Sequence, residues 1–425
     1  MKFIINPPRA QWAELAHRPV KDLAELEEPV RAILTDVKKN GDSAVLKYIE
    51  KFDKVKLKTL LVTEEEIREA QSFVSEDLKK AIQAAKYNIA KFHIEQKEMV
   101  KKIQTTEGVT CWRKSTPIPK VGLYIPSRSA PLFSTILMLG IPANIASCEE
   151  IVLCSTPNPD GKLHPIILYT ANLLNIKKVF KVGGVQAIAA MAYGTQSIPK
   201  VDKIFGPSNQ YVTVAKQLVT KEGTAIDMPA SASEVLVIAD ETANPAFVAA
   251  DLLAQAEHGT DSHAVLVTTS ESFAHLVKKE IETQLEALNR KEILREALEN
   301  CLLIVVNNLK EAIAFSNFYA PEHLVLAVNN DEYFAELITN AGSVFLGNYS
   351  PVAAGDYASG TNHTLPTNGF ARVYSGVSLD SFFKKITFQK ITQKGIRNLG
   401  KTIEIMAEAE GLMAHKNSVS LRLRE

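Results

Sequence analysis

The sequence predicts an α/β protein built from two tandem doubly wound (Rossmann-like) parallel-sheet modules and closed by a helical C-terminal tail. Three observations carry this. Short, nearly continuous apolar runs alternate with helical stretches from about residue 118 onward. The alternation occurs twice in succession. The last 55 or so residues then lose it and read as helix alone. Strands buried on both faces read as unbroken apolar runs, and strand–helix alternation builds parallel sheets.

The first hundred residues read as helical. Asp22 to Lys39 has helical spacing and stops at Asn40-Gly41. Thr63-x-x-Glu66 is a capping box that opens a long helix towards Lys97. Ile67, Ala70, Val74, Leu78, Ile82 and Ala85 give that helix one buried face. The first module follows, with strands at 121–125, 151–154, 178–182 and 203–205 and helices at 134–145, 164–174 and 185–193 between them. The second has strands at 234–238, 263–268, 302–306, 323–328 and 343–346. Asn244-Pro245 is an N-cap and first-turn pair for a helix stopping at Gly259. Grouped into domains, this gives an N-terminal arm at 1–20, a discontinuous domain of 21–120 with 234–370, a second domain at 121–233 and a tail at 371–425. In the tail Ile403, Met406, Ala407 and Leu412 share a face without a strand partner. Such a face packs on a partner subunit or on its own chain, and pattern alone leaves both open.

Lys plus Arg equals Asp plus Glu at 48 each. A chain without net charge has no global field for nucleic acid or an anionic membrane, so neither partner is expected. The apolar stretch at 130–146 is interrupted by Pro131, Pro142 and Asn144, and the N-terminus carries no leader pattern, so a cytoplasmic protein is expected. Cys111, Cys148, Cys154 and Cys301 are scattered without metal or disulfide spacing and read as core thiols.

No GxGxxG or P-loop signature occurs. Gly183-Gly184, with Gln186, and Gly206-Pro207-Ser208-Asn209 lie instead at predicted strand ends, where open sheets bind ligands and where turn chemistry also places glycine. Gln255 and His258 lie one helical turn apart. They offer an oxygen and a nitrogen to a cation, or are simply a polar helix end. Glu322-His323, at a loop-to-strand junction, sets a carboxylate beside an imidazole, the pairing suited to acid–base work near neutral pH. Gly355 to His363 is a polar, glycine-bounded loop rich in ligand-type side chains, including Asp356 and His363. Glu410 and His415 flank a helix end at Gly411. His263 begins a strand and is left out of the site.

Taken in order, VGLYIP, SAPLFST, VGGVQAIAA, VDKIFGP, AIDMPA, SEVLVIAD, AQAEHG, PEHL, AGSVFLG, AGDYASGTNH and AEGLMAHKN make the chain from about Val121 to Leu423 resemble the histidinol dehydrogenase family. The resemblance implies oxidation of L-histidinol through L-histidinaldehyde to L-histidine with two NAD, the last step of histidine biosynthesis. It implies one Zn2+ per subunit, held by Gln255, His258, Asp356 and His415, the last supplied by the neighbouring chain of an intertwined homodimer through an exchanged tail. It makes His323 the general base and Glu322 the activator of water. Ser233, His363 and Glu410 become substrate contacts, joining His323 and the metal ligands Gln255, His258, Asp356 and His415 around L-histidinol. Tyr124, Gln186 and Asn209 become NAD contacts. Ser127, Arg128, Ser208 and Ser231 stand where the family commonly has glycine or, at 231, AGPSE in place of ASASE. Those substitutions bear on cofactor affinity, since glycine permits close backbone approach. Two other functions remain open: a related dehydrogenase for another primary alcohol, and a ligand-binding homologue without catalysis.

Overall fold

The structure, a computed structural model, describes residues 1–18, 23–127, 130–229 and 232–425. β1 (Lys2–Ile5) opens the chain, and β2 (Lys102–Thr106) and β3 (Val109–Pro117) follow the N-terminal helices. The first module contributes β4 (Lys120–Ile125), β5 (Glu150–Ser155), β6 (Lys178–Lys181), β7 (Lys203–Phe205) and β8 (Ala225–Ile226). The second contributes β9 (Glu234–Ala239), β10 (His263–Thr268), β11 (Leu302–Val305), β12 (His323–Ala327) and β13 (Ser343–Leu346). β14 (Phe383–Ile391) lies in the tail.

Both modules are parallel sheets, as the apolar runs require. The first has the order β6-β5-β4-β7-β8 and the second β11-β10-β9-β12-β13, with β1 added at the β11 edge. Numbered within each module, both orders are 3-2-1-4-5. The chain therefore starts each sheet in the middle, winds outward, then returns to the other side of the first strand. This leaves a topological switch point between β4 and β7, and another between β9 and β12. The shared winding is what a tandem duplication would leave.

The cores show which helices cover which sheet. Val30, Leu34 and Val37 of the helix Leu23–Asn40 pack with Ile188, Ala215 and Val219 on one face of the five-stranded sheet. Ile82, Ala85 and Ile89 of the helix Glu76–Ile94 pack with Ile136, Leu139 and Leu153 on the other. Residues 23–94 thus complete the module of β4–β8, while β1 and Trp12 join the core of β9–β13.

Three local expectations change. The capping box is present, with Glu66 N–H donating to Thr63 Oγ1 at 3.2 Å and Thr63 N–H to Glu66 Oε2 at 2.8 Å. The helix it opens ends at Ala70, because Val74 is extended and Ser75 caps a second helix by accepting from Leu78 N–H. The tail has a strand after all: β14 pairs antiparallel with β3 along its full length, in the order β14-β3-β2. Two helices, Gln393–Ala409 and Met413–Leu423, then pack on one another, with Gly411 between them at φ +72°. Finally, part of the polar stretch after Gly355 is helical, since Val352–Tyr357 forms a short helix ending just past Asp356. Among the described residues no helix is long and apolar enough to cross a membrane.

Candidate active site

Parallel winding decides which side chains meet. A helix following a strand runs back to the amino edge of the sheet, so the end of Pro245–Ala256 returns Gln255 and His258 to the edge where β10 and β12 begin. His323 is the first residue of β12, and Glu322 precedes it. The helix Val352–Tyr357, following β13, brings Asp356 to the same edge. Asp251 Oδ1 accepts from Val352 N–H at 3.3 Å and so ties those two helices together.

Glu322 and His323 are both buried, although they stand at a loop-to-strand junction. His323 Nδ1 lies 3.2 Å from the carbonyl oxygen of Glu234, which accepts its proton, and 3.5 Å from Glu322 Oε2. Its Nε2 lies 3.5 Å from Asp356 Oδ1, an ion-pair distance without hydrogen-bond alignment, and has no hydrogen-bond partner. Burial would push this imidazole down, but the Glu322 and Asp356 carboxylates outweigh it and hold the pKa up, at about 10. Burial likewise works to raise the Asp356 carboxyl, and His323, with His363 and His258 further away, holds it below the ordinary value.

His363 joins the group. Its Nδ1 donates to Asp356 O at 2.9 Å, and its Nε2 meets Thr135 Oγ1 at 3.0 Å. Burial pushes its pKa down. Gln255 is buried, with its amide nitrogen unpartnered. His258 is exposed at the turn beyond its helix, and Ser233, half-buried, precedes β9. The structure therefore brings Ser233, Gln255, His258, Glu322, His323, Asp356 and His363 to one edge of one module. Glu410 and His415 are exposed in the tail and make no contact with this cluster within the chain. Among the described residues no three His, Cys, Asp or Glu side chains converge to hold a metal.

The expected cofactor contacts form a second group, at the carboxyl ends of β4, β6 and β7. Tyr124 and Gly206 face each other across the β4/β7 switch point. The Tyr124 hydroxyl accepts from Gly184 N–H at 3.3 Å, at the start of the helix that carries buried Gln186. Asn209 caps the next helix by accepting from Val212 N–H at 3.0 Å. Gly206 has φ +140°, and a Cβ there would stand 2.1 Å from the Tyr124 carbonyl oxygen. Glycine is required at this position. Ser127, at a usual glycine position, is accommodated by donating to Thr156 O at 2.7 Å, and Ser208 accepts from Thr213 Oγ1 at 3.1 Å. Arg128 and Ser231 lie outside the described residues.

Sequence reasoning missed Thr135, Arg18 and Glu234. SEVLVIAD contains Glu234, but at a strand's first residue a buried carboxylate gives no periodic signal.

Comparison with known proteins agrees over the whole length. The Histidinol dehydrogenase family model matches residues 16–423. The histidinol dehydrogenase of Bacteroides thetaiotaomicron is 57% identical over 423 residues, covering 100% of this chain and 99% of that protein. That of Aliivibrio fischeri is 50% identical, covering 98% of this chain and 94% of the relative. The crystal structure of histidinol dehydrogenase from Elizabethkingia anophelis superposes with a TM-score of 0.98 at 57% identity, covering 100% and 98% of the two chains. With the same fold and so high an identity end to end, this chain is an enzyme of the histidinol dehydrogenase family.

Proposed function

We propose that the protein oxidises L-histidinol by four electrons to L-histidine, through L-histidinaldehyde, as the last step of histidine biosynthesis. The observation that carries this reading is the buried Glu322–His323 pair beside Asp356, with one imidazole nitrogen left without a hydrogen-bond partner. The Glu234 carbonyl holds the Nδ1 proton of His323, so Nε2 is the atom that takes the substrate hydroxyl proton. His323 acts again in the second oxidation. Glu322 takes a proton from the water that hydrates the aldehyde.

The residues present fit a divalent cation. Gln255 ends in a buried amide with one unpartnered atom, and amide orientation is interchangeable, so its oxygen can face a cation as readily as its nitrogen. His258 and Asp356 lie within electrostatic reach of each other. With His415 from a second copy, these residues would hold one Zn2+ per subunit. When bound, zinc orients the imidazole and amine of the substrate, and NAD accepts a hydride in each oxidation. A cation held by Asp356 would offset one of the two carboxylates that raise the His323 pKa, which would favour its role as a base. Tyr124, Gln186 and Asn209 would contact NAD.

Exposed Ile405, Met406, Leu412 and Met413 on the tail support an intertwined homodimer, in which they would be covered and would carry Glu410 and His415 to the partner's site. The four free thiols suit the reducing cytoplasm. The test is product analysis. Purified protein given L-histidinol and NAD should form L-histidine, stop when a chelator removes the metal, and resume with Zn2+. No L-histidine at any NAD concentration would refute the reading.

A further inference from the structure

We propose that Arg18 and Glu234 are positioning residues for the Glu322–His323 pair, with Arg18 fixing the Glu234 carboxylate and Glu234 holding both reacting side chains. The inference rests on the reading of Glu322 and His323 as the acid–base pair.

Glu234 begins β9, and β12 is its hydrogen-bonded neighbour at the switch point. Three bonds run between this one residue and the pair. Glu234 N–H donates to Glu322 Oε2 at 2.8 Å. Glu322 N–H donates to Glu234 Oε1 at 3.2 Å. His323 Nδ1 donates to Glu234 O at 3.2 Å. The first fixes the rotamer of Glu322, and the third fixes the tautomer and ring plane of His323. The second makes the Glu234 side chain part of the same lock.

That side chain is 1% exposed. A carboxylate so placed is costly unless fully paired. Arg18 supplies the pairing with a two-pronged contact, Nε to Oε2 at 2.7 Å and Nη2 to Oε1 at 3.1 Å. The guanidinium is itself fixed. It donates to Ala16 O at 2.8 Å and Tyr319 O at 2.7 Å, and lies 3.6 Å from the centre of the Tyr319 ring. A segment 216 residues away in sequence is thus locked behind the acid–base pair. An ion pair serving only stability would have no need to touch the reacting residues. Here the oxygen that takes the Glu322 amide proton also takes a prong of the Arg18 fork. Lysine, a point charge on a flexible stem, cannot reproduce that fork.

The test compares R18K and the charge-neutral double variant R18M/E234Q with the wild type, all as full-length, zinc-loaded protein. The double variant leaves no unpaired buried charge. The proposal expects its circular dichroism to match the wild type, KM for L-histidinol and NAD to stay within about threefold, and kcat to fall by about ten- to a hundredfold, as a misplaced acid–base pair demands. R18K should lose part of kcat with KM held. A folded double variant with kcat within about twofold of wild type overturns the proposal. Should the double variant not fold, R18K decides alone, and an unchanged kcat there overturns it. If the wild type itself leaves L-histidinol untouched, the acid–base reading fails, and the 15N resonances of the His323 ring decide separately. A shift between wild type and R18K supports positioning, and identical spectra overturn it.

Discussion

Lys216 and Asp227, each 1% exposed, form a buried ion pair that grips Gly206 on both sides. Lys216 Nζ donates to Gly206 O at 2.9 Å, and Asp227 Oδ2 accepts from Gly206 N–H at 2.8 Å. Gly206 stands at the β4/β7 switch point, so the pair shapes the loop proposed to take NAD. Removing one partner leaves an unpaired buried charge. Lys216→Met should therefore cost about 3–5 kcal/mol in urea unfolding. In protein that remains folded it should raise KM for NAD more than KM for L-histidinol. Equal changes in both would detach the pair from the cofactor loop.

Acid should destabilise the fold through His263. Its imidazole is buried near the Arg18 guanidinium, which together hold its pKa down at about 4, and it bonds Tyr319 Oη at 2.7 Å. Because the folded value lies below the ordinary 6.5, the unfolded chain binds more protons between the two. The stabilisation is present above pH 6.5 and is lost as the pH falls towards 4, by up to about 3 kcal/mol. His263→Gln should flatten denaturant midpoints over that window. A variant as acid-sensitive as wild type would assign the loss to other groups.

Cys148, Cys154 and Cys301 should be inert. Burial pushes Cys148 and Cys301 up to about 12, and fully buried Cys154 higher still. In the proposed reaction none of these three would then be a nucleophile towards the aldehyde, which fits the role given to Glu322. Iodoacetamide at neutral pH should leave L-histidine formation intact. Inactivation that tracks the labelling of one cysteine would contradict this.

If the tail crosses to a second copy, single mutants should complement. Mixing His323→Ala and His415→Ala subunits, each nearly inactive alone, should restore about a quarter of the sites at random assortment, because one site of each mixed dimer has both residues. Mixed dimers that stay inactive would place both residues in one chain's site.

Most of this fold was legible because its strands are buried on both faces. Val235, Leu236 and Val237, or Leu302, Leu303 and Ile304, read as strands from apolar runs alone. The antiparallel sheet was not legible for the opposite reason: β14 reads FKKITFQKI, with six consecutive exposed residues from Ile386 sharing little with a buried strand. The break at Val74 was hidden because a helix and an extended turn both bury it on the same face. The packing of Val30 and Ile82 on the sheet that follows them was not legible either, since a helix face does not name the sheet it covers. In the site, Glu322, His323 and Asp356 were marked by residue type and loop position. Arg18 and Glu234 were not, since a pair 216 residues apart leaves no local pattern.

In the proposed reaction one site carries out both oxidations. The direct measurement is the ratio of NADH formed to L-histidinol consumed, with zinc-loaded protein and excess NAD. About two NADH per L-histidinol are expected, with L-histidine as product. A ratio of one, with the aldehyde accumulating, would contradict the role of Glu322 and His323 in the second oxidation, and no NADH at all would contradict the assignment of the reaction.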